Sequence, residues 1–82
     1  MLGRWIVQRT VWVLPAASAE RSHGLKYRLY CGNASRCLVR YDNEAGKGDH
    51  RHYGRREEPY AFTTLEALLE DFQVDVNRLT NE

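Results

Sequence analysis

Residues 63–79 read Thr63-Thr64-Leu65-Glu66-Ala67-Leu68-Leu69-Glu70-Asp71-Phe72-Gln73-Val74-Asp75-Val76-Asn77-Arg78-Leu79 and carry the clearest structural pattern of this 82-residue chain. Thr63, with Glu66 three residues later, has the spacing of a capping box, which starts helices. Apolar residues then recur at helical spacing; they are Leu65, Leu68, Leu69, Phe72, Val76 and Leu79. The pattern predicts one amphipathic helix over residues 64–79, with its acidic residues, Asp75 included, on the solvent-facing surface.

The residues before this helix alternate between apolar and polar in the manner of strands. Leu25, Tyr27, Leu29 and Cys31 share one predicted face. Strands are predicted at residues 4–14, 25–31, 36–42 and 49–53, and a charged bend is predicted at residues 54–59. Because the apolar stripe of the helix needs a sheet to cover, we expect one α+β domain over residues 1–82. It is a small antiparallel β-sheet of about four strands, a meander, covered by one C-terminal α-helix.

The composition is that of a soluble globular protein, with 43% hydrophobic and 28% charged residues. The net charge of +1 hides an asymmetry along the chain. Residues 1–56 contain 11 Lys or Arg against 4 Asp or Glu, whereas residues 57–82 contain 1 against 7. A basic face of this kind can bind phosphates. Basic residues that merely cover solvent-facing strand positions explain the asymmetry equally well.

The cysteines and the N-terminal residues bear on the cellular compartment in which the protein is expected. Cys31 and Cys37 match neither a disulfide framework nor a zinc site, so we expect free thiols. The N-terminal residues lack an apolar segment of signal-peptide length, and no later segment has the length to span a bilayer. We therefore expect a cytoplasmic protein without a membrane partner. Gly46-Lys47-Gly48 lacks the spacing of a P-loop or a dinucleotide fold, so no cofactor is expected.

Chemistry-bearing side chains are concentrated in residues 41–53, which read Tyr41-Asp42-Asn43-Glu44-Ala45-Gly46-Lys47-Gly48-Asp49-His50-Arg51-His52-Tyr53. If a strand begins at Asp49, its period of two places His50 and His52 on one face and Arg51 on the other. The two imidazoles are then roughly 6 to 7 Å apart. Such a pair can exchange protons near neutral pH or bind a metal.

Several segments of the chain resemble one toxin family. They are Arg40-Tyr41-Asp42-Asn43, Gly46-Lys47-Gly48-Asp49-His50-Arg51-His52 and Glu58-Pro59-Tyr60-Ala61-Phe62, followed by a Leu-Leu-x-Asp-Phe helix. With them the chain resembles the TumE family over residues 10–76. The resemblance implies the toxin of a bacterial toxin–antitoxin pair, with a helix-turn-helix antitoxin protein as partner. That family usually carries a further N-terminal strand, so we expect an exposed sheet edge here.

The first hypothesis for the site is a metal-independent ribonuclease. RNA supplies its own nucleophile, the 2′-hydroxyl, so the protein needs a base, an acid and cations for the charge on phosphate. We predict His50 and His52 as the acid–base pair, and Tyr60 as a stacking or proton-donating aromatic. The predicted phosphate-binding residues are Lys47, Arg51 and Arg40, although Arg51 lies on the strand face opposite the histidines.

Two other interpretations stay open. His50, His52 and a carboxylate such as Asp42 or Asp49 have the chemistry of a Zn²⁺ or Mn²⁺ site, although the spacing fixes no third ligand. Alternatively, the protein is a non-catalytic module that binds its antitoxin or a nucleic acid, and the segment serves structure. Structural turn roles are expected at Asp42, Asn43, Gly46, Gly48 and Asp49.

Three residues outside this segment complete the expectations. His23 is expected to be a solvated loop residue. Trp5 and Trp12 lie on opposite faces of the first predicted strand. We expect them in a buried contact with the antitoxin, or in a homodimer formed through the sheet.

Overall fold

Five short strands precede the helix in a computed structural model that describes residues 4–17, 21–44 and 46–81. The elements are β1 (Ile6–Val13), β2 (Leu25–Gly32), β3 (Cys37–Asp42), β4 (His50–Tyr53), β5 (Arg56–Pro59) and α1 (Leu65–Thr80). The strands pair antiparallel, and their order in the sheet is their order in the chain. This confirms the predicted α+β meander with one C-terminal helix.

The fifth strand corrects the predicted bend at residues 54–59. Tyr53 pairs with Arg56, so β4 and β5 form a hairpin whose turn is Gly54-Arg55. Gly54 has φ 61°, a left-handed conformation that glycine adopts at little steric cost. Glycine at the first of two turn residues is a hairpin signal, which the surrounding charges had obscured.

The core lies between one face of the sheet and α1. The predicted alternation in β2 is confirmed, because Tyr27, Leu29 and Cys31 are buried. The helix buries Leu68, Phe72 and Val76 against the same face. Each such large apolar side chain stabilises the fold by roughly 1.5–3 kcal/mol. The opposite face of the sheet carries the polar residues of the alternation, and we call it the open face; it includes Trp12, Arg28, Arg40, Asp42, His50 and His52.

The helix begins one residue later than the capping box predicted. Thr64, not Thr63, is the N-cap, and its hydroxyl accepts a hydrogen bond from the Ala67 amide over 3.0 Å. Glu66 therefore lies too early in the helix to act as the second member of a capping box. It stands in the first turn, where a negative charge is favoured by the helix dipole.

Asp75 is buried, which corrects its predicted place on the acidic surface. Its Oδ2 accepts hydrogen bonds from the hydroxyls of Tyr41, over 2.5 Å, and Tyr53, over 2.6 Å. Arg78 donates to the other oxygen over 3.1 Å. Burial alone would raise the pKa of the Asp75 carboxyl, but these hydrogen bonds together hold it below its ordinary value. The carboxylate thus fastens α1 to β3 and β4.

In the sheet of the described residues, β1 lies at one edge. Most of its side chains are exposed, including Ile6 and Val13. Arg9 is also exposed, but it contacts the helix: its guanidinium lies over the Phe72 ring and donates a hydrogen bond to the Gln73 side chain on α1. Cys31 and Cys37 are both free thiols.

Candidate active site

β4 presents its side chains alternately to the two faces of the sheet, as predicted. His50 and His52 lie on the open face, and their ring centroids are 4.9 Å apart, closer than ideal strand spacing. Arg51 and Tyr53 point toward α1. The ladder places Asp42 directly opposite His50, and Arg40 directly opposite His52.

Both ring nitrogens of His50 face oxygen atoms that accept hydrogen bonds. Its Nδ1 lies 2.9 Å from the carbonyl oxygen of Gly48, and its Nε2 lies 2.6 Å from Oδ1 of Asp42. A carbonyl and a carboxylate have no proton to donate. The Gly48 carbonyl can only accept, so Nδ1 carries a proton, whereas the contact between Nε2 and the Asp42 carboxylate is a close charge contact rather than an aligned hydrogen bond. The ring is almost completely buried, at 5% exposure.

His52 has the opposite environment. Its Nε2 lies 2.9 Å from Nη2 of Arg40, and a guanidinium can only donate. That nitrogen must therefore carry a lone pair. Burial lowers the pKa of His52 below its ordinary value, and the Arg40 charge lowers it further, outweighing the acidic neighbour Glu57. The neighbouring rings thus face different partners, two acceptors for His50 and a donor for Nε2 of His52.

Glu57 completes the polar cluster, although it was not among the predicted site residues. Its Oε2 lies 3.3 Å from Nε2 of His50 and 3.4 Å from Nε2 of His52. The same oxygen lies 3.8 Å from Nζ of Lys47. Glu57 reaches this position because β5 pairs it with His52. The Gly54 hairpin signal, followed by alternation along β5, would have identified it.

The structure does not bring Arg51 or Tyr60 to the histidine pair. Arg51 lies among the rings of Tyr41, Tyr53 and Tyr60 on the helix side and is paired with Glu58 at 2.8 Å. Tyr60 is buried, and its hydroxyl donates to Asp71 on α1 over 2.6 Å. Burial, aided by the adjacent Asp71 carboxylate, raises the pKa of Tyr60 well above its usual range. Tyr60 therefore links the segment after β5 to the helix, whereas Arg51 links β4 to β3 and β5.

The predicted turn residues divide into two groups. Asn43 is structural: its buried side chain accepts from the Tyr27 amide over 3.0 Å and donates to the Leu25 carbonyl over 2.8 Å. Gly46 and Gly48 have φ 86° and 71°, as left-handed turns require. Asp42 differs, because it ends β3 and turns its carboxylate to His50 and Arg40.

His23 is not the solvated loop residue that was expected. Its ring stacks on Phe62 with centroids 3.9 Å apart, and its side chain is 14% exposed. The Leu25 amide donates to Nδ1, so the proton on Nε2 is directed at the Asp49 carboxylate, 3.1 Å away. Tyr27 donates to the same carboxylate over 2.7 Å. Asp49 therefore anchors the start of β4, where His50 begins the strand.

The histidine pair also has part of the geometry of a metal site. Ligand atoms of Asp42, His50 and His52 all lie within 4.8 Å of one another. However, a cation already contacts these groups: Arg40 has Nε 2.9 Å from Oδ2 of Asp42, besides its bond to His52. A divalent metal would have to displace the guanidinium. The arrangement therefore suits proton exchange better than metal binding.

Comparison with known families identifies the chain. A family model described as Toxin TumE matches residues 2–80. The chain belongs to the TumE toxin family. This confirms the resemblance seen in the sequence and extends it to nearly the whole chain. TumE membership supports a toxin role and implies an antitoxin partner. No curated protein and no solved structure gives a significant match.

Among the described residues, no helix has the length and apolar character that crossing a membrane requires.

Proposed function

We propose that this TumE protein is a toxin that cleaves RNA in the cytoplasm by metal-independent acid–base catalysis at His50 and His52. The observation that carries the proposal is the difference between two neighbouring imidazoles. His50 faces two hydrogen-bond acceptors, whereas Nε2 of His52 faces a donor. An acid and a base at one site are what cleavage of RNA by its own 2′-hydroxyl requires.

The proposed chemistry uses those two environments. Nε2 of His52 takes the proton of the 2′-hydroxyl, and the 2′-oxygen forms a bond to phosphorus. The bond from phosphorus to the 5′-oxygen breaks, and His50 donates its Nε2 proton to that leaving oxygen. The products are a 2′,3′-cyclic phosphate and a 5′-hydroxyl. Asp42 is a positioning residue, because its carboxylate lies 2.6 Å from Nε2 of His50 and is replaced there by the leaving oxygen when the proton is transferred.

Cations for the phosphate come from the same face. Arg40 contacts both Asp42 and His52, and Lys47 lies beside Glu57 at the edge of the pair. A phosphate that binds here replaces Glu57 as the partner of both histidines and draws the Arg40 guanidinium away from Nε2 of His52. Geometry of this kind commonly tightens only when substrate binds. Arg51 has no part in this mechanism.

Antitoxin control belongs to the same proposal. We propose a helix-turn-helix antitoxin as the partner that neutralises the toxin. A homodimer through the sheet stays a prediction, as does its expected contact through Trp5 or Trp12; Trp12 is exposed, whereas Trp5 packs against the core.

Induced expression in a bacterium tests the function, with growth and bulk RNA integrity followed together. The variants are His50→Ala and His52→Ala. Arg55→Ala, in the exposed turn after β4, is the control. We expect growth arrest and RNA loss for the wild type and the control only. Thermal unfolding of each purified variant shows that loss of activity is not loss of folding.

The purified protein then separates the alternatives. We expect cleavage of a synthetic RNA in the presence of EDTA, a cyclic phosphate product, and no cleavage where 2′-deoxyribose precedes the scissile phosphate. A requirement for added Zn²⁺ or Mn²⁺ would point to the metal site instead. Growth arrest with intact RNA would contradict the ribonuclease, and no effect from any folded variant would favour a non-catalytic binding module.

A further inference from the structure

The open face continues beyond the histidine pair into a depression toward β1. Its volume is about 390 Å³, within the range of small-ligand sites. The residues that line it are Trp12, Lys26, Tyr27, Arg28, Arg40, Asp42 and Glu44. Arg40 and Asp42 belong to the candidate active site as well, so the depression and the histidine pair form one continuous surface.

Trp12 is the unusual member of this surface. It is 45% exposed, although indole is among the most costly side chains to leave in water. Its neighbour across the ladder is Lys26, whose Nζ lies 5.0 Å from the ring centroid. An exposed aromatic ring beside cations is the arrangement on which proteins stack unpaired nucleic-acid bases.

Arg28 lies between Trp12 and the histidines. The ladder places it opposite Asp42, which in turn is opposite His50. Asp42 is already engaged by Arg40 and His50. No residue of the described ranges, 4–17, 21–44 and 46–81, forms a hydrogen bond or an ion pair with Arg28. Its exposed charge is therefore available to a phosphate.

We propose that Trp12 stacks an unpaired base of the RNA substrate while Lys26 and Arg28 bind the phosphates that connect this base to the scissile site. The inference rests on the proposed ribonuclease function and names its substrate class, single-stranded RNA. Trp12 on β1 is three strand spacings, roughly 14 Å, across the sheet from β4, and it is offset by two further residues along the strands from the row of Arg28, Asp42 and His50. The stacked base thus belongs to a different nucleotide from the one that is cleaved.

Charge favours a polyanion over a protein as the occupant. Three cations, Lys26, Arg28 and Arg40, line the depression against two carboxylates, Asp42 and Glu44, and Asp42 is already paired with Arg40 and His50. The buried centres of protein interfaces are, by contrast, depleted in charged residues. A second copy of the chain docked face to face would bring the same cations together. Single-stranded RNA offers a partner to each of these side chains: a base stacks on the Trp12 ring, and phosphates bind Lys26 and Arg28.

Binding of a labelled single-stranded RNA oligonucleotide with 2′-O-methyl riboses, measured by fluorescence anisotropy, tests the inference. This probe lacks the nucleophilic hydroxyl, so affinity is read independently of cleavage. Trp12→Ala should weaken binding on the order of tenfold, and Trp12→Phe should retain most of it. Val13→Ala is the control, because Val13 is on the same strand and 83% exposed but faces the other way.

The salt dependence of the RNA affinity distinguishes base stacking on Trp12 from phosphate binding by Arg28. Arg28→Gln should reduce the slope of log affinity against log salt by about 1, whereas Trp12→Ala should leave the slope unchanged. The inference is overturned if Trp12→Ala binds like the wild type, or if duplex RNA binds as well as the single strand. It is also overturned if sedimentation shows a wild-type dimer that Trp12→Ala dissociates, since a second copy then covers the ring.

Failure of the subsite differs from failure of the proposed function. If the wild type cleaves RNA and Trp12→Ala has the same KM, only the subsite is lost. If the oligonucleotide binds through Trp12 but no RNA is cleaved, the stacking surface stands and the catalytic proposal falls.

Discussion

Arg40 donates a hydrogen bond from Nη2 to Nε2 of His52 over 2.9 Å, from the position directly opposite on the neighbouring strand. Its Nε lies at the same distance, 2.9 Å, from Oδ2 of Asp42, the carboxylate that holds His50. One guanidinium therefore contacts the base of the proposed pair and the positioning carboxylate of its acid. The contact with Nε2 requires a lone pair on His52, and the contact with Asp42 links the two histidines through one guanidinium.

Arg40→Gln should move the acidic limb of the pH profile to higher pH. Burial and the Arg40 charge lower the pKa of His52, which must be neutral to act as a base. For the wild type, kcat/KM should thus fall only as the pH drops below the ordinary histidine value of about 6.5. Without the guanidinium the pKa of His52 rises, and the fall begins at higher pH. Arg36→Gln, in an exposed turn, is the control; an unmoved limb in Arg40→Gln would contradict the role of this contact.

Glu57→Gln should lower KM for RNA. The Glu57 carboxylate lies within 3.4 Å of Nε2 of both histidines, where we place the scissile phosphate, and its charge repels that phosphate. An uncharged amide of the same size removes the repulsion, and we expect a KM lower by roughly threefold to tenfold. Steady-state cleavage of a short RNA measures this. Glu70→Gln, exposed on the far side of α1, is the control, and a large fall in kcat would instead place Glu57 in the chemistry.

Asp75→Asn should destabilise the fold at neutral pH by about 2 kcal/mol, because hydrogen bonds to a charged acceptor are replaced by weaker ones. The folded-state pKa of Asp75 is below its ordinary 3.8. Its contribution is therefore fully present above that value and is lost as the pH falls through the folded-state pKa. Urea unfolding at neutral pH and near pH 3 should show the difference between wild type and variant shrinking in acid. A difference that does not change with pH would exclude the charge as its source.

Tyr60→Phe should retain RNA cleavage and lose about 1 kcal/mol of stability. The hydroxyl is bonded to Asp71 on the helix and lies on the face away from the histidines. Removing it leaves one fewer sheet-to-helix hydrogen bond and leaves the proposed acid and base untouched. Cleavage rates and thermal unfolding, measured on the same preparation, test both parts. A large loss of kcat with unchanged stability would restore Tyr60 as a catalytic residue.

Thr64→Ala should destabilise the protein by about 1 kcal/mol, whereas Thr63→Ala should have little effect. Of these two threonines, both in the described part of the chain, Thr64 is the one whose hydroxyl accepts a hydrogen bond from the first turn of α1. The two neighbouring threonines are each other's control, and denaturant unfolding at equilibrium measures the difference. Equal effects would mean that the cap is shared between them.

The sequence by itself determined the α+β class, the C-terminal helix, the buried face of β2 and the two-face alternation of β4. These are local properties: a period of two or of about 3.6 residues depends only on backbone geometry and on which side chains avoid water. It also determined the TumE family, because Lys47-Gly48-Asp49-His50-Arg51-His52 is a contiguous segment that needs no fold to be recognised.

Only the tertiary structure decided which chemistry each residue has. Asp75 lies off the apolar stripe of the helix, yet two tyrosines from the sheet bury it; Glu57 reaches the histidines only through the hairpin of β5. Likewise, the opposite environments of His50 and His52 arise from Asp42 and Arg40 on the neighbouring strand. Protonation depends on partners within a few ångströms, and strand register, rather than sequence spacing, brings those partners together.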